Sequence, residues 1–180
     1  MVPEARLEST EHGLAAKGDG WFVLNARDAN WRHAEGRGAY CQFEGEPEFS
    51  QLGIGLFTLE PAEPMAMYHW ETESEAFLVV SGEALLIVEG QERPLRQWDF
   101  VHCPPKTEHA IIGAGDGPCI LLAMSSRENQ AYGPYGKYIA SEVARNHRAS
   151  PKETAQDDAE WEAEIPSSEP ASYGDGWLPD

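Results

Sequence analysis

The sequence predicts an all-β fold, built as an antiparallel sandwich or barrel. Between residues 20 and 125, short apolar runs rich in β-branched and aromatic residues follow one another, separated by Gly, Pro and Asp. No long stretch of helical period lies between them, so the strands are closely spaced and connect directly. The 17 glycines and 13 prolines of the 180-residue chain supply the turns.

Taken in order, strands are expected near 21–24 (Trp-Phe-Val-Leu), 52–59, 65–70, 76–81, 84–88, 99–103, 108–112 and 119–124. Glu89-Gly90-Gln91-Glu92 reads as a hairpin turn, and Ser81-Gly82-Glu83 as a tight connection. The glycine-rich run from Gly113 to Gly117 lies between strands, which makes it a turn and not a phosphate cradle. Phe77-Leu78-Val79-Val80 and Ile120-Leu121-Leu122 are apolar on both faces. One face can fill the interior; the other needs a cover, either terminal arms or a second subunit, and a homodimer is the economical expectation. Further on, Lys137 to Arg148 sets Ile139, Val143 and His147 on one stripe and predicts a helix. Ser150-Pro151-Lys152-Glu153 fits a capping box with Pro at the first helical position. The expected organisation is an N-terminal arm over 1–39, a barrel over 40–127 and a helical, acidic extension over 128–180.

Composition narrows the function. A hydrophobic fraction of 41%, with six Trp, six Tyr and six Phe, is ample for a packed core. The formal charge is −18, and residues 151–180 hold one Lys against nine acids, which reads as an acidic, partly disordered tail. Such a balance argues against nucleic-acid binding, which needs basic surface to neutralise phosphates, and against anionic membranes. Cys41, Cys103 and Cys119 form no CxxC and no disulfide framework. Met1 to Asp19 carries no apolar run of the kind a signal peptide needs, and the longest apolar runs are too short to span a bilayer. The expectation is a cytoplasmic protein.

The chemistry concentrates in Met65-Ala66-Met67-Tyr68-His69-Trp70-Glu71-Thr72-Glu73-Ser74-Glu75. Strand alternation puts Met65, Met67, His69 and Glu71 on one face and Ala66, Tyr68 and Trp70 on the other. A His and a carboxylate on an otherwise apolar inner face are costly unless something pairs with them. Glu75 follows four residues later, and His109 opens a strand after the Pro104-Pro105 turn. Two imidazoles and one or two carboxylates converging inside a barrel suit a divalent metal. Met65 and Met67 are expected to wall a pocket. Tyr68 and Trp70 are expected to face outward, Glu73 and Glu108 to be solvated, and His102 to be a packed structural residue. Cys103 and Cys119 are expected in the core, and His12, His33 and His147 at the surface.

His69-x-Glu71, with Glu75 and then Gly82 at the expected separations, resembles the first cupin motif; Trp98-Asp99, Pro104, Lys106 and His109 resemble the second. The resemblance covers roughly residues 50–124. It implies a double-stranded β-barrel of the jelly-roll type, with His69, Glu75 and His109 at metal-ligand positions. Three positions depart from the family pattern. Glu71 stands where a second His is usual, and Trp98 and Lys106 stand where glycines are usual. Either the site is His2Glu2, or Glu71 stays off the ion, which leaves a two-His-one-carboxylate triad and a general base beside it. Oxygen-rich ligation favours Fe(II), Mn(II) or Zn(II). The expected function is a metal-dependent enzyme, oxygenase-like or an isomerase, acting on a small organic molecule; the alternatives are a non-catalytic binding module or sensor, and a barrel without metal.

Overall fold

The structure, a computed structural model, describes residues 1–128, 135–155 and 168–179. Its strands are β1 (Arg6–Ser9), β2 (Leu14–Lys17), β3 (Trp31–His33), β4 (Ala39–Gln42), β5 (Leu52–Leu59), β6 (His69–Glu71), β7 (Glu75–Ser81), β8 (Glu83–Val88), β9 (Gln91–Arg96), β10 (Phe100–Cys103), β11 (His109–Ala114), β12 (Cys119–Ser126), β13 (Gly136–Tyr138) and β14 (Glu169–Ala171). β1 and β2 form a separate hairpin. The rest make a seven-stranded sheet, ordered β10-β7-β12-β5-β4-β3-β14, and a five-stranded sheet, ordered β13-β6-β11-β8-β9.

Period-two alternation explains how the two sheets pack. Phe77 and Val79 of β7, Ala84 and Leu86 of β8, Ile111 of β11 and Leu121 of β12 point between the sheets and form the main core with Leu59, Cys103 and Cys119. The intervening residues Ile87, Ala110 and Ile112 lie on the outer face of the five-stranded sheet. There they pack with Tyr68 under Ile139, Val143, Ala144 and Ala149. This face is therefore covered by the chain's own C-terminal segment. Tyr68 is buried, and its hydroxyl accepts from the Gly90 N–H at 2.9 Å. At the far end of the other sheet, Trp31, Ala39 and Cys41 pack under Tyr173, Trp177 and Leu178, with β14 paired to β3. At β10, Trp98 and Phe100 stay 67% and 62% exposed, uncovered among the described residues.

Several expectations need correction. The C-terminal extension is not the long helix expected: residues 137 and 138 belong to β13, and among the described residues after it only α1 (Glu142–Arg145), capped by Ser141, is α-helical. The Ser150–Glu153 segment forms no helix, and most of the acidic run after it lies outside the described residues. Trp21-Phe22-Val23-Leu24 is no strand; Trp21 makes only an isolated bridge with Glu4. The expected strand at 65–70 shortens to β6, because Met65 to Tyr68 bonds irregularly to Ile111 and Ala149. Glu73, expected in solvent, is 1% exposed and accepts from the Ser126 hydroxyl at 2.6 Å and the Glu128 N–H at 3.2 Å. His102 lies exposed on the outer side of β10. Among the described residues no helix is long and apolar enough to cross a membrane.

Two turns explain the positions where glycine is usual. Trp98 has φ +75° and Lys106 has φ +68°, both in the left-handed region that costs a side chain about 1–2 kcal/mol. Gly82, at φ +77°, keeps its glycine, since a Cβ there would stand 2.5 Å from the Pro118 carbonyl oxygen. Lys106 is exposed and has room for its side chain, so it pays only backbone strain. Replacing it with glycine removes that strain and adds some unfolded-state entropy. We expect Lys106→Gly to raise stability by about 0.5–1 kcal/mol, read as a higher urea midpoint at unchanged m-value.

Candidate metal centre

The register between β6 and β11 sets His69 directly opposite His109. Side chains opposite one another on paired strands share a face, and here the two imidazole centroids are 4.7 Å apart. The turn before β11 is tied to β6 by the Lys106 N–H, which donates to the Glu71 carbonyl at 2.7 Å. The Thr107 hydroxyl closes the turn onto the Pro104 carbonyl at 2.7 Å. Glu75 arrives from the other sheet as the first residue of β7. One ligand atom from each of His69, Glu75 and His109 lies within 4.8 Å of the others, and all three residues are buried. An ion bonded at about 2.0–2.2 Å holds its donors roughly 3–4 Å apart, so this grouping fits one ion after small side-chain movement.

Hydrogen bonding selects the nitrogen that each ring presents. His69 Nδ1 donates to the Met67 carbonyl at 2.6 Å, and His109 Nδ1 donates to the Thr107 carbonyl at 3.0 Å. A carbonyl can only accept, so Nδ1 carries the proton and Nε2 keeps a lone pair, the tautomer a metal needs. His109 Nε2 is buried without a hydrogen-bond partner, 3.4 Å from Glu75 Oε2. Buried polar atoms seldom stay unmatched. The donor set therefore suits a divalent cation.

Glu71 lies beside the group of three, outside it. Its Oε1 is 3.7 Å from His69 Nε2, and its Oε2 is buried with no hydrogen-bond partner. The Tyr135 hydroxyl lies next to Glu71 and Ser125, and the Glu71 charge helps burial to raise it above its ordinary value. Tyr135 precedes β13, whose register sets Gly136 opposite Glu71, and the Thr72 N–H donates to the Tyr135 carbonyl at 2.9 Å. Tyr135 escaped the sequence reading because the expected helix began just after it. Strand alternation in Gly136-Lys137-Tyr138, read against β6, was the signal that could have found it.

A cavity of about 290 Å3 opens onto His69, Glu71, Glu75 and Tyr135, with Phe57 and Met65 among its apolar wall. His109 stands deeper, outside the lining. Met67, expected in the wall, contributes its carbonyl to His69 instead. Burial, with the neighbouring Glu71 charge, pushes the Glu75 carboxyl up to about 8. Burial, then the nearby His69, pushes His109 down to about 3. Burial also works to lower His69, but the Glu71 hydrogen bond and the Glu75 and Glu71 charges outweigh it and hold that ring above its ordinary value. Burial raises the Tyr135 hydroxyl and all three thiols, so none of these is a ready nucleophile near neutrality.

Residues 55–125 match the Cupin domain family. Among similar solved structures, a polyketide cyclase from Streptomyces resistomycificus aligns at 13% identity with a TM-score of 0.53, over 60% of this chain and 80% of its own. An RmlC-like cupin from Shewanella frigidimarina aligns at 17% identity with a TM-score of 0.53, over 63% of this chain and 96% of its own. A sugar phosphate isomerase of a cupin superfamily from Silicibacter pomeroyi aligns at 22% identity with a TM-score of 0.46, over 57% of this chain. The match spans 62% of that isomerase, under two thirds of its length. At these identities the likeness is one of fold. No curated protein matches the chain in sequence.

The Glu75 shift has a measurable sign. A carboxyl that holds its proton to about pH 8 when folded, and loses it near 4.5 when unfolded, favours the unfolded chain progressively as pH rises between those values. We expect the metal-free protein to lose this contribution to stability from about pH 4.5 to pH 8. Glu75→Gln should flatten that part of the profile, measured as the wild-type minus variant difference in unfolding free energy at each pH. A difference that grows in the opposite direction would refute the assignment.

Proposed function

The chain is a cupin-superfamily protein with its cupin domain at residues 55–125, and from that premise we propose that it is a divalent-metal-dependent enzyme, oxygenase-like, acting on a small organic molecule. The observation that carries this reading is an incomplete donor set beside a cavity. Three buried donors group together while a second carboxylate, Glu71, stands next to them on the cavity wall with one oxygen unmatched. A closed four-residue shell would suit a structural ion; two His and one carboxylate with open positions suit Fe(II) oxygenase chemistry, with Mn(II) or Zn(II) as other occupants.

In this proposal His69, Glu75 and His109 hold the ion. When bound, the ion supplies a Lewis acid and open positions for substrate oxygen or O2. Glu71 takes a proton from the substrate at its unmatched Oε2, and the Tyr135 hydroxyl holds that carboxylate in place. Phe57, Met65 and Ala123 line the cavity and keep water from the reacting atoms. We also propose that a second copy covers the exposed Trp98 and Phe100, since bare aromatics beside the edge strand β10 invite pairing.

Three experiments test these readings. Anaerobic reconstitution with Fe(II), Mn(II) or Zn(II) should load one ion per chain, and the His69→Ala/His109→Ala pair should load none. O2 uptake over a small-molecule library should then fall by about 100-fold or more in Glu71→Gln while its metal content stays intact. Equal uptake in Glu71→Gln and wild type would remove the general-base role, and ligand binding without turnover in both would make the protein a binding module. For the dimer, sedimentation should give a two-chain mass that drops to one chain in Phe100→Asp; a monomeric wild type would end that proposal.

A further inference from the structure

A second cavity, of about 190 Å3, lies against the metal cavity. Phe57, Met65 and Ala66 line both, and Ala34, Arg37, Tyr40, Tyr138 and Ser168 complete the second. The second cavity stays close to the metal donors, because Tyr138 packs its ring nearly perpendicular to His69 with the centroids 5.9 Å apart. The three shared residues differ in how far they can move. Phe57 is held by Tyr40, whose ring stacks on it at 5.2 Å and 19°. Ala66 has no side-chain torsion to turn. Met65 is pinned at its backbone, where its N–H donates to the Ile111 carbonyl at 2.8 Å. Its side chain is half-buried, unbranched and free to turn about three bonds, which lets it adapt to whatever packs against it.

The metal cavity alone, at about 290 Å3, sits at the low end for small-molecule sites, which run about 300–1,000 Å3. Joined across Met65, the two cavities make a longer tract. It starts at His69, Glu71 and Glu75, passes Phe57, and ends among Arg37, Tyr40 and Ser168. We propose that the two cavities form one binding tract with Met65 as its movable partition. The substrate is then an elongated molecule: an oxygen-bearing head at the ion, and an apolar chain that turns Met65 aside to enter the second cavity. Met65 is the residue that sets the length of chain accepted. The tract rests on the metal-dependent reading above, which supplies the anchor for the head.

Aceto-, butano-, hexano- and octanohydroxamate form a matched probe series: each carries the same oxygen head for a divalent ion, and only the alkyl chain lengthens. The charges at the ion and its carboxylates therefore act alike on every member. Calorimetric titration of the Mn(II)-loaded protein should show affinity rising about threefold per added methylene out to the octano member, as each methylene is buried. Met65→Phe sets a stiff ring in the passage and should end the rise at the shorter members. Ala34→Leu takes room from the second cavity only and should weaken the octano member about tenfold while acetohydroxamate binds as before. Retained Mn(II) stoichiometry reports that a variant is folded, and if one variant fails to load, the other carries the comparison. An affinity that stays flat from hexano to octano on the loaded wild type overturns the tract, as does binding of no member. So does a rise that is the same in the wild type and the variants, since the chain then leaves by the open mouth of the first cavity. Failure of the wild type to load Mn(II) overturns the metal-dependent reading, and the tract falls with its anchor.

Discussion

The site depends on unmatched buried polarity. His109 Nε2 and Glu71 Oε2 are removed from water and given no protein partner, while Glu75 reaches the same spot from the opposite sheet. Each unsatisfied buried polar atom costs about 1–3 kcal/mol. Folds tolerate that cost mainly where chemistry uses the atom. The supporting bonds run the other way: each Nδ1 is fixed by a carbonyl two residues upstream, and the Lys106 N–H holds the His109 turn against β6. The backbone is satisfied so that the side-chain atoms can remain unsatisfied.

Much of this was legible from residue order. Alternation in Met65–Glu75 sets His69 and Glu71 on one face, and the separations to Glu75 and His109 bring three donors together. The strands at 52–59, 76–81, 84–88 and 119–124 were legible because both faces of an inner strand must be apolar or alternate. What escaped lies at the edges. β9, with sequence Gln-Glu-Arg-Pro-Leu-Arg, is almost wholly exposed and polar, so hydrophobic pattern could not mark it. β3, β13 and β14 are three residues long, and their pairing is decided by partners far along the chain. Glu73 escaped for a different reason: nothing local distinguishes a carboxylate in water from one that meets Ser126 some fifty positions later.

The departures from the family pattern divide cleanly. Trp98 and Lys106 keep the left-handed backbone that glycine would supply and accept strain for it, so the turn survives the change of residue. Glu71 changes the chemistry itself. In place of a third imidazole the cavity receives an acid with a tyrosine hydroxyl behind it. Tyr135 belongs to neither motif; it comes from the strands and loops at the open end of the barrel, where fold likeness carries no information about function.

The cover over the five-stranded sheet has a consequence for synthesis. Ile139, Val143, Ala144 and Ala149 sit against Tyr68, Ile87, Ala110 and Ile112, although more than twenty-five positions separate the last of these from the first residue of its cover. During translation the barrel strands leave the ribosome well before the segment that seals them. A chain cut short near residue 130 would therefore display a bare sheet of isoleucine, alanine and tyrosine, the kind of surface that chaperones hold.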